Sequence, residues 1–121
     1  MSRKGLSRRT ARRHAHASVF AALGDETRLA LVAKLCGGWP YSISQLTGGS
    51  KLTRQAITKH LRVLEKARIV HCVHSGRESL FEFDPEPIQT IKEYLDLVSA
   101  QWDQALSRLK AFVEGEALGG R

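Results

Sequence analysis

The hydrophobic positions of this chain recur at helical spacing over most of its length, most regularly between Leu52 and Leu64. The inward positions of that stretch are apolar or semi-apolar and lie about three or four residues apart: Ala56, Ile57, His60, Leu61 and Leu64. The outward positions are polar or cationic, with no carboxylate among them: Arg54, Gln55, Thr58, Lys59 and Arg62. Because Thr53 is a suitable N-cap, the pattern predicts an amphipathic helix from Thr53 to Ala67.

The same periodicity predicts two longer helices and one short helix before this stretch. The first runs from about Ala11 to Leu23, and the second runs from Glu26 to Cys36 with Asp25 as its cap. The segment Trp39 to Tyr41 is predicted to be a turn. Ser42 to Gln45 has the Ser-x-x-Gln form of a capping box, which opens the short third helix. Two adjacent glycines at positions 48 and 49 follow closely, so this helix is predicted to end early.

After the amphipathic helix, the spacing of the hydrophobic positions changes from the helical period to alternation with polar positions. Ile69 to His74 and Ser79 to Phe83 are predicted to be strands, and Ser75 to Glu78 is predicted to be the tip of the hairpin between them. The pair Asp84-Pro85 has the residue types of a helix start. A long helix is therefore predicted to follow, ending at about Glu114.

Two apolar seams repeat every seven residues along the long helix. One contains Ile88, Leu95, Trp102 and Leu109, and the other contains Ile91, Val98, Ala105 and Phe112. This face is wider than a small domain's own core needs, so we predict a homodimer in which the long helix and the helix from Ala11 to Leu23 pack across a two-fold axis. The predicted interface residues are Val19, Phe20, Ile88, Ile91, Leu95, Val98, Trp102 and Leu109. The alternative is a helix that folds only onto its own domain.

Three segments carry a family resemblance: Phe20 to Leu29, Ile57 to Ala67, and the hairpin tip Ser75 to Glu78. In this order they resemble the ArsR/SmtB family of bacterial repressors, and the resemblance spans about Val19 to Glu114. It implies a mainly α protein with a small β-hairpin, an α+β winged helix-turn-helix that dimerises through its N- and C-terminal helices. It also implies a transcriptional repressor, so the helix from Thr53 is expected to enter a major groove.

Charge divides the 121-residue chain into two parts. Residues 1–77 hold 15 Lys and Arg against 3 Asp and Glu, a net charge of +12, whereas residues 78–121 hold 4 against 9, a net charge of −5. The basic part implies a polyanionic partner, and double-stranded DNA fits better than a membrane because no segment has the pattern of a lipid-facing amphipathic helix. No long apolar run or secretion signal is present in the sequence, so the protein is expected to be cytoplasmic.

The chain is predicted to divide into three segments. Residues 1–10 form a disordered basic N-terminal arm, residues 11–114 form the winged helix-turn-helix domain with its dimerisation helices, and residues 115–121 form a flexible C-terminal tail. The arm could lie along phosphates or in a minor groove, or it could be a solubilising tail. Both interpretations stay open at this point.

The predicted DNA contacts follow from side-chain chemistry. Arg54 and Gln55 are assigned to base readout, since arginine can bind guanine and glutamine can bind adenine through two hydrogen bonds. The residues assigned to phosphate contacts and register are Lys51, Thr58, Lys59 and Arg62, and Thr53 is also predicted to contact DNA. Arg77 at the hairpin tip is assigned to a minor groove, with an ordinary surface turn as the alternative. The function predicted is a homodimeric repressor that binds an inverted-repeat operator in a sequence-specific way and regulates its own promoter or a neighbouring gene.

Metal binding and catalysis are not supported by the residues. ArsR-like proteins often bind metals through a Cys-x-Cys pair, but the corresponding positions are Ser42 and Ser44, and no histidine follows His74 to form the family's second site. The sequence also lacks a P-loop, a nucleophile elbow and any other catalytic motif. We therefore predict no metal, no cofactor and no enzymatic activity.

Other functions stay open. One is a repressor that responds to a thiol, redox or metal signal through Cys36 or Cys72, and another is a nucleoid-associated protein that binds DNA without sequence preference. A third is a protein-interaction module that uses the long apolar helix. An unknown small-molecule or protein effector is possible in each case.

Overall fold

The computed structural model describes the backbone of residues 2–119 and the side chains of residues 8–115. The elements are α1 (Ser2–Leu23), α2 (Glu26–Leu35), β1 (Tyr41–Ser42), α3 (Ile43–Thr47), α4 (Arg54–Lys66), β2 (Val70–Ser75), β3 (Glu78–Phe83) and α5 (Glu86–Gly119). The chain divides into two compact units, one ending at Gln89 and the other beginning at Thr90. The predicted fold class, mainly α with a small β component, is confirmed. Within the described part of the chain, none of the helices has the length and apolar character needed to cross a bilayer.

The sheet contains one strand more than the predicted hairpin. All three strands are antiparallel in the order β1-β3-β2, with Ser75 opposite Glu78 at the hairpin end and Tyr41 opposite Phe81 on the other edge of β3. The prediction of a simple turn over Trp39 to Tyr41 was wrong at Tyr41. A two-residue strand has no periodicity to detect, and it forms because the free edge of β3 offers hydrogen-bond partners.

The core of the first unit is built by the inward face of α4 and the elements around it. The largest fully buried side chains come from α2, from α4, and from the start of β2 with the residue before it: Leu35, Ile57, Leu61, Leu64, Ile69 and Val70. The element α1 contacts α2 and α4, and its buried side chains among those described are Val19 and Ala22. The helix α4 is therefore held from its inner side, which leaves its opposite side free.

The first helix begins earlier than predicted. It starts at Ser2, so the backbone of residues 2–10 is helical where a disordered arm was predicted. Arginine, lysine, leucine and alanine are good helix formers, and a single glycine inside a helix costs only about 1 kcal/mol, so no strong breaker separates this segment from the rest of α1. Met1 and the side chains of Arg3 and Lys4 lie outside the described residues.

The last helix also runs beyond its predicted end. It begins at Glu86, directly after the predicted start at Asp84-Pro85, and continues past Glu114 to Gly119. The Asp84 side chain accepts from its first turn, since the Glu86 N–H donates to Asp84 Oδ1 at 2.9 Å. Pro85, predicted as the first helical residue, lies one position before the helix, and its carbonyl accepts from the Gln89 N–H at 2.8 Å. The final two residues of the predicted tail lie outside the described residues.

The end of α4 contains a strained residue. Ala67 is the C-cap, the Arg68 N–H donates to the Glu65 carbonyl at 2.9 Å, and the Ile69 N–H donates to the Leu64 carbonyl at 2.9 Å. These two bonds form a Schellman motif, which needs a left-handed residue at Arg68. Arg68 has φ of 64°, a conformation that costs about 1–2 kcal/mol for residues with a Cβ.

We expect Arg68→Gly to raise the free energy of unfolding by about 0.5–1 kcal/mol. Glycine removes the strain, and its greater freedom in the unfolded chain takes back part of the gain. Urea unfolding would measure the change. Arg68→Ala is the matched control, since it removes the same side chain but keeps the strain, so it should change the stability by less than about 0.5 kcal/mol. A loss of stability in Arg68→Gly would show that the arginine side chain itself stabilises the fold.

Candidate nucleic-acid interface

The helix α3, which precedes the turn into α4, begins with a complete capping box. The Gln45 N–H donates to Ser42 Oγ at 3.1 Å, and the Ser42 N–H donates to Gln45 Oε1 at 2.8 Å. The helix α3 ends at Thr47 after only five residues. Gly49 then has φ of 78°, which favours glycine, and the chain turns toward α4. The predicted capping box and short helix are thus both seen.

The position of α4 is set at its first turn. The Ala56 N–H donates to Thr53 Oγ1 at 3.1 Å, so Thr53 is the N-cap as predicted. This cap places Arg54 and Gln55 in the first turn, where both side chains are exposed. Ile57, with Leu61 and Leu64 further along, is buried on the inner side.

The outer side of α4 is a cationic surface. The exposed residues among the predicted DNA contacts on α4 and just before it are Lys51, Thr53, Arg54, Gln55, Lys59 and Arg62. Among the described residues, no carboxylate forms a salt bridge with any of these cations. Unpaired cations on one face can bind phosphates without first losing an internal partner.

Thr58 differs from the other predicted contacts. It is half-buried, and its hydroxyl donates to the Arg54 carbonyl at 2.7 Å. Phosphate oxygens only accept hydrogen bonds, so Thr58 would have to release this bond before donating to a phosphate.

Arg28 connects α4 to the end of α1. Its Nε donates to the Ala22 carbonyl at 2.6 Å, and its Nη1 donates to His60 Nδ1 at 3.2 Å. A guanidinium can only donate, so His60 Nδ1 is the acceptor in this arrangement. His60 is half-buried on the inner side of α4, the position predicted for it. The sequence did not indicate its pairing with Arg28, which is 32 residues away.

Asp25 joins the same cluster as the N-cap of α2. Its Oδ2 accepts from the Arg28 N–H at 3.0 Å and lies 3.7 Å from His60 Nδ1. The Arg28 N–H holds the pKa of Asp25 below its ordinary value, and the charge of the Arg28 guanidinium adds to this effect. The cluster therefore links α1, α2 and α4 on the side away from the cationic surface.

The hairpin presents Arg77 at its tip. Gly76 and Arg77 form a two-residue loop between Ser75 and Glu78, and Gly76 has φ of 63°, which a primed hairpin turn requires of its first loop residue. Arg77 is exposed. The predicted tip and its exposed guanidinium are both present.

The base of the hairpin is held by Asp84. His71 Nε2 lies 2.6 Å from Asp84 Oδ2. The Glu86 N–H, followed by His71, lowers the pKa of Asp84 from its ordinary value.

Within the described part of the chain, no three His, Cys, Asp or Glu side chains come together in a group that could hold a metal ion. Cys36 is exposed and Cys72 is half-buried.

The predicted dimer residues differ widely in exposure. Val19 and Ile91 are already buried in the single chain, so they have little surface left for a partner. Ile88 and Val98 are half-buried. The remaining predicted residues are exposed: Phe20, Leu95, Trp102 and Leu109. Further exposed apolar side chains on α5 are Leu97, Leu106, Phe112 and Val113.

A cavity of about 230 Å³ opens beside the turn between α3 and α4. Its floor is apolar and includes Leu31, Leu46 and Ile57, and its rim includes Lys34 and the two glycines of the turn. No sequence signal indicated it, because it forms only where α2 meets this turn.

Comparison with known proteins gives consistent results. The family model described as "Bacterial regulatory protein, arsR family" matches residues 25–71. The chain is 30% identical over 97 residues to the HTH-type transcriptional regulator Rv2034 of Mycobacterium tuberculosis, covering 80% of this chain and 87% of that protein. It is 34% identical over 80 residues to the uncharacterized HTH-type transcriptional regulator YuzN of Bacillus subtilis, covering 61% of this chain and 87% of that protein.

The fold also matches a solved structure. An ArsR-like transcriptional regulator from Rhodococcus sp. RHA1 superposes with a TM-score of 0.73 at 35% identity, covering 82% of this chain and 92% of that chain. The matched portion of each protein therefore includes most of its length.

Proposed function

Since the chain belongs to the arsR family of bacterial regulatory proteins and is a DNA-binding transcriptional regulator, we propose that it represses transcription as a homodimer on an inverted-repeat operator. The observation that supports this best is the outer side of α4. This side presents exposed cations and an amide, and among the described residues no carboxylate forms a salt bridge with these cations. The opposite side of α4 is packed into the core through Ile57, Leu61 and Leu64.

In the proposed complex, α4 lies in a major groove. Its first turn meets the base edges, where Arg54 binds a guanine and Gln55 binds an adenine. Lys51, Lys59 and Arg62 contact phosphates and set the register, with Thr53 and Thr58 as weaker contacts. Arg77 at the hairpin tip enters the flanking minor groove.

A homodimer would place two copies of α4 in successive major grooves. The half-sites would lie about 34 Å apart on one face of the duplex, as an inverted repeat requires. The exposed apolar side chains of α5 support this assembly, since a helix this apolar is rarely left in water. Repression would follow from occupying the protein's own promoter or that of a neighbouring gene.

An effector could act through the cavity beside the turn. A small apolar molecule there would touch Ile57 on α4 and the two glycines that set the entry into α4.

The central experiment compares Arg54→Ala with Lys59→Ala on the protein's upstream DNA and on a scrambled duplex. Arg54→Ala should weaken binding to the upstream DNA by about 1–3 kcal/mol and change binding to the scrambled duplex much less. Lys59→Ala is the matched control on the same helix. It should weaken both duplexes alike and reduce the salt slope by about 0.9 per subunit.

Two outcomes would contradict the proposal. Equal losses on both duplexes for Arg54→Ala would remove its role in base readout. Equal binding of the unaltered protein to both duplexes, with the same steep salt dependence, would indicate a nucleoid-associated protein that binds DNA without sequence preference.

A further inference from the structure

The N-terminal half of α1 is a helix that carries only positive charge. No aspartate or glutamate occurs before Asp25. Four arginines in its described part are exposed: Arg8, Arg9, Arg12 and Arg13. The structure describes this region as helix, so these side chains have defined directions relative to one another.

Helical spacing gathers the four arginines on one side of α1. At about 100° per residue, Arg8 and Arg12 lie about 40° apart, and Arg9 and Arg13 extend the arc to about 140°. Val19 falls between Arg8 and Arg12 on the same projection, and Val19 is buried. The face of α1 that packs against α2 and α4 therefore continues toward the N-terminus as a row of arginines.

This arrangement is unfavourable for an isolated helix. The N-terminus of a helix has a partial positive charge and favours acidic residues in its first turn, and α1 has none there. Arg8 and Arg12 are four residues apart, as are Arg9 and Arg13, and like charges at this spacing destabilise a helix by about 0.2–0.5 kcal/mol per pair. A surface helix that only provides solubility has no need of this pattern, whereas a bound polyanion would relieve every one of these repulsions.

We propose that the N-terminal half of α1 is a second DNA-binding element, which binds the phosphates of duplex DNA outside the half-sites. This inference rests on the proposed function, since the polyanion that the arginines contact is the DNA duplex bound by α4. Arg12 and Arg8 lie about 10 and 16 Å along the helix beyond Val19. That reach corresponds to about three to five phosphates on one DNA strand. The contact is made by a helix to the DNA backbone, in contrast to a flexible arm in a minor groove.

The test uses two operator duplexes. One contains only the two half-sites, and the other adds about ten base pairs of arbitrary sequence on each side. The unaltered protein should bind the longer duplex more tightly and with a steeper salt slope. A variant with all four arginines changed to glutamine should bind both duplexes equally. Its salt slope on the longer duplex should be smaller by up to about 3–4 per subunit, since each phosphate contact contributes about 0.9.

Two further variants sharpen the result. A variant with all four arginines changed to lysine should keep the salt slope of the unaltered protein, because a phosphate accepts hydrogen bonds from either cation. A narrow minor groove would instead prefer arginine. Lys92→Gln with Arg108→Gln removes two exposed cations from α5 and should leave the effect of duplex length unchanged.

The inference is wrong if the unaltered protein binds both duplexes equally, or if the lysine variant has the reduced salt slope of the glutamine variant on the longer duplex. Failure of the proposed function would look different. In that case the unaltered protein would not distinguish the operator from a scrambled duplex of equal length, yet binding would still strengthen with flanking DNA and still depend on the four arginines.

Discussion

Replacing Trp102 and Leu109 together with glutamate is expected to leave the protein monomeric and to weaken its binding to a two-half-site operator by about 10²–10⁴-fold. Both side chains lie on one seam of α5 and are 61% and 57% exposed in the single chain. Two buried glutamates facing their own copies would oppose association, whereas the monomer would keep its fold because neither side chain supports it. A monomer occupies one half-site at a time, so the gain in affinity from binding both half-sites simultaneously is lost.

Analytical ultracentrifugation and operator binding would measure the two effects. A duplex with a single half-site should be bound by the variant and by the unaltered protein with similar affinity. Gln104→Glu with Ser107→Glu is the matched control, since it adds the same charge to exposed positions on the opposite side of α5. If the Trp102 and Leu109 variant still sediments as a dimer, this seam is not the interface.

Leu61→Ala is expected to lower the free energy of unfolding by about 2–5 kcal/mol, the usual cost of truncating a fully buried leucine. Leu61 is completely buried on the inner side of α4. Alanine would leave a cavity beneath the middle of α4, where neighbouring core side chains cannot fully collapse. Urea unfolding, with the slope m compared between variants, would give the change.

Val63→Ala is the control on the same helix. Val63 is 41% exposed, and alanine favours helix at least as well as valine, so its stability should change by no more than about 0.5 kcal/mol. Equal losses in the two variants would mean that the inner face of α4 is assigned to the wrong side. The predicted DNA contacts on the outer side would then be wrong as well.

Local interactions made several features predictable from the sequence. The cap at Thr53, the capping box of Ser42 with Gln45 and the glycine turn before Arg77 each depend on residues within about four positions of one another. The inward stripe of α4 follows from side-chain spacing alone. The cationic outer surface follows from the same spacing, so its existence was predictable, whereas its contacts with DNA stay predictions.

Other features were decided only by the tertiary structure. The strand at Tyr41 exists because β3 has a free edge, and the pairing of Arg28 with His60 exists because α1, α2 and α4 meet. Val19 was predicted as an interface residue, but packing within the chain already buries it. These features depend on which distant segments come together, and side-chain spacing along the chain contains no information about that choice. The sequence therefore determined the caps, turns and faces, and the packing of the folded chain determined the third strand, the support of α4 and which apolar side chains stay exposed.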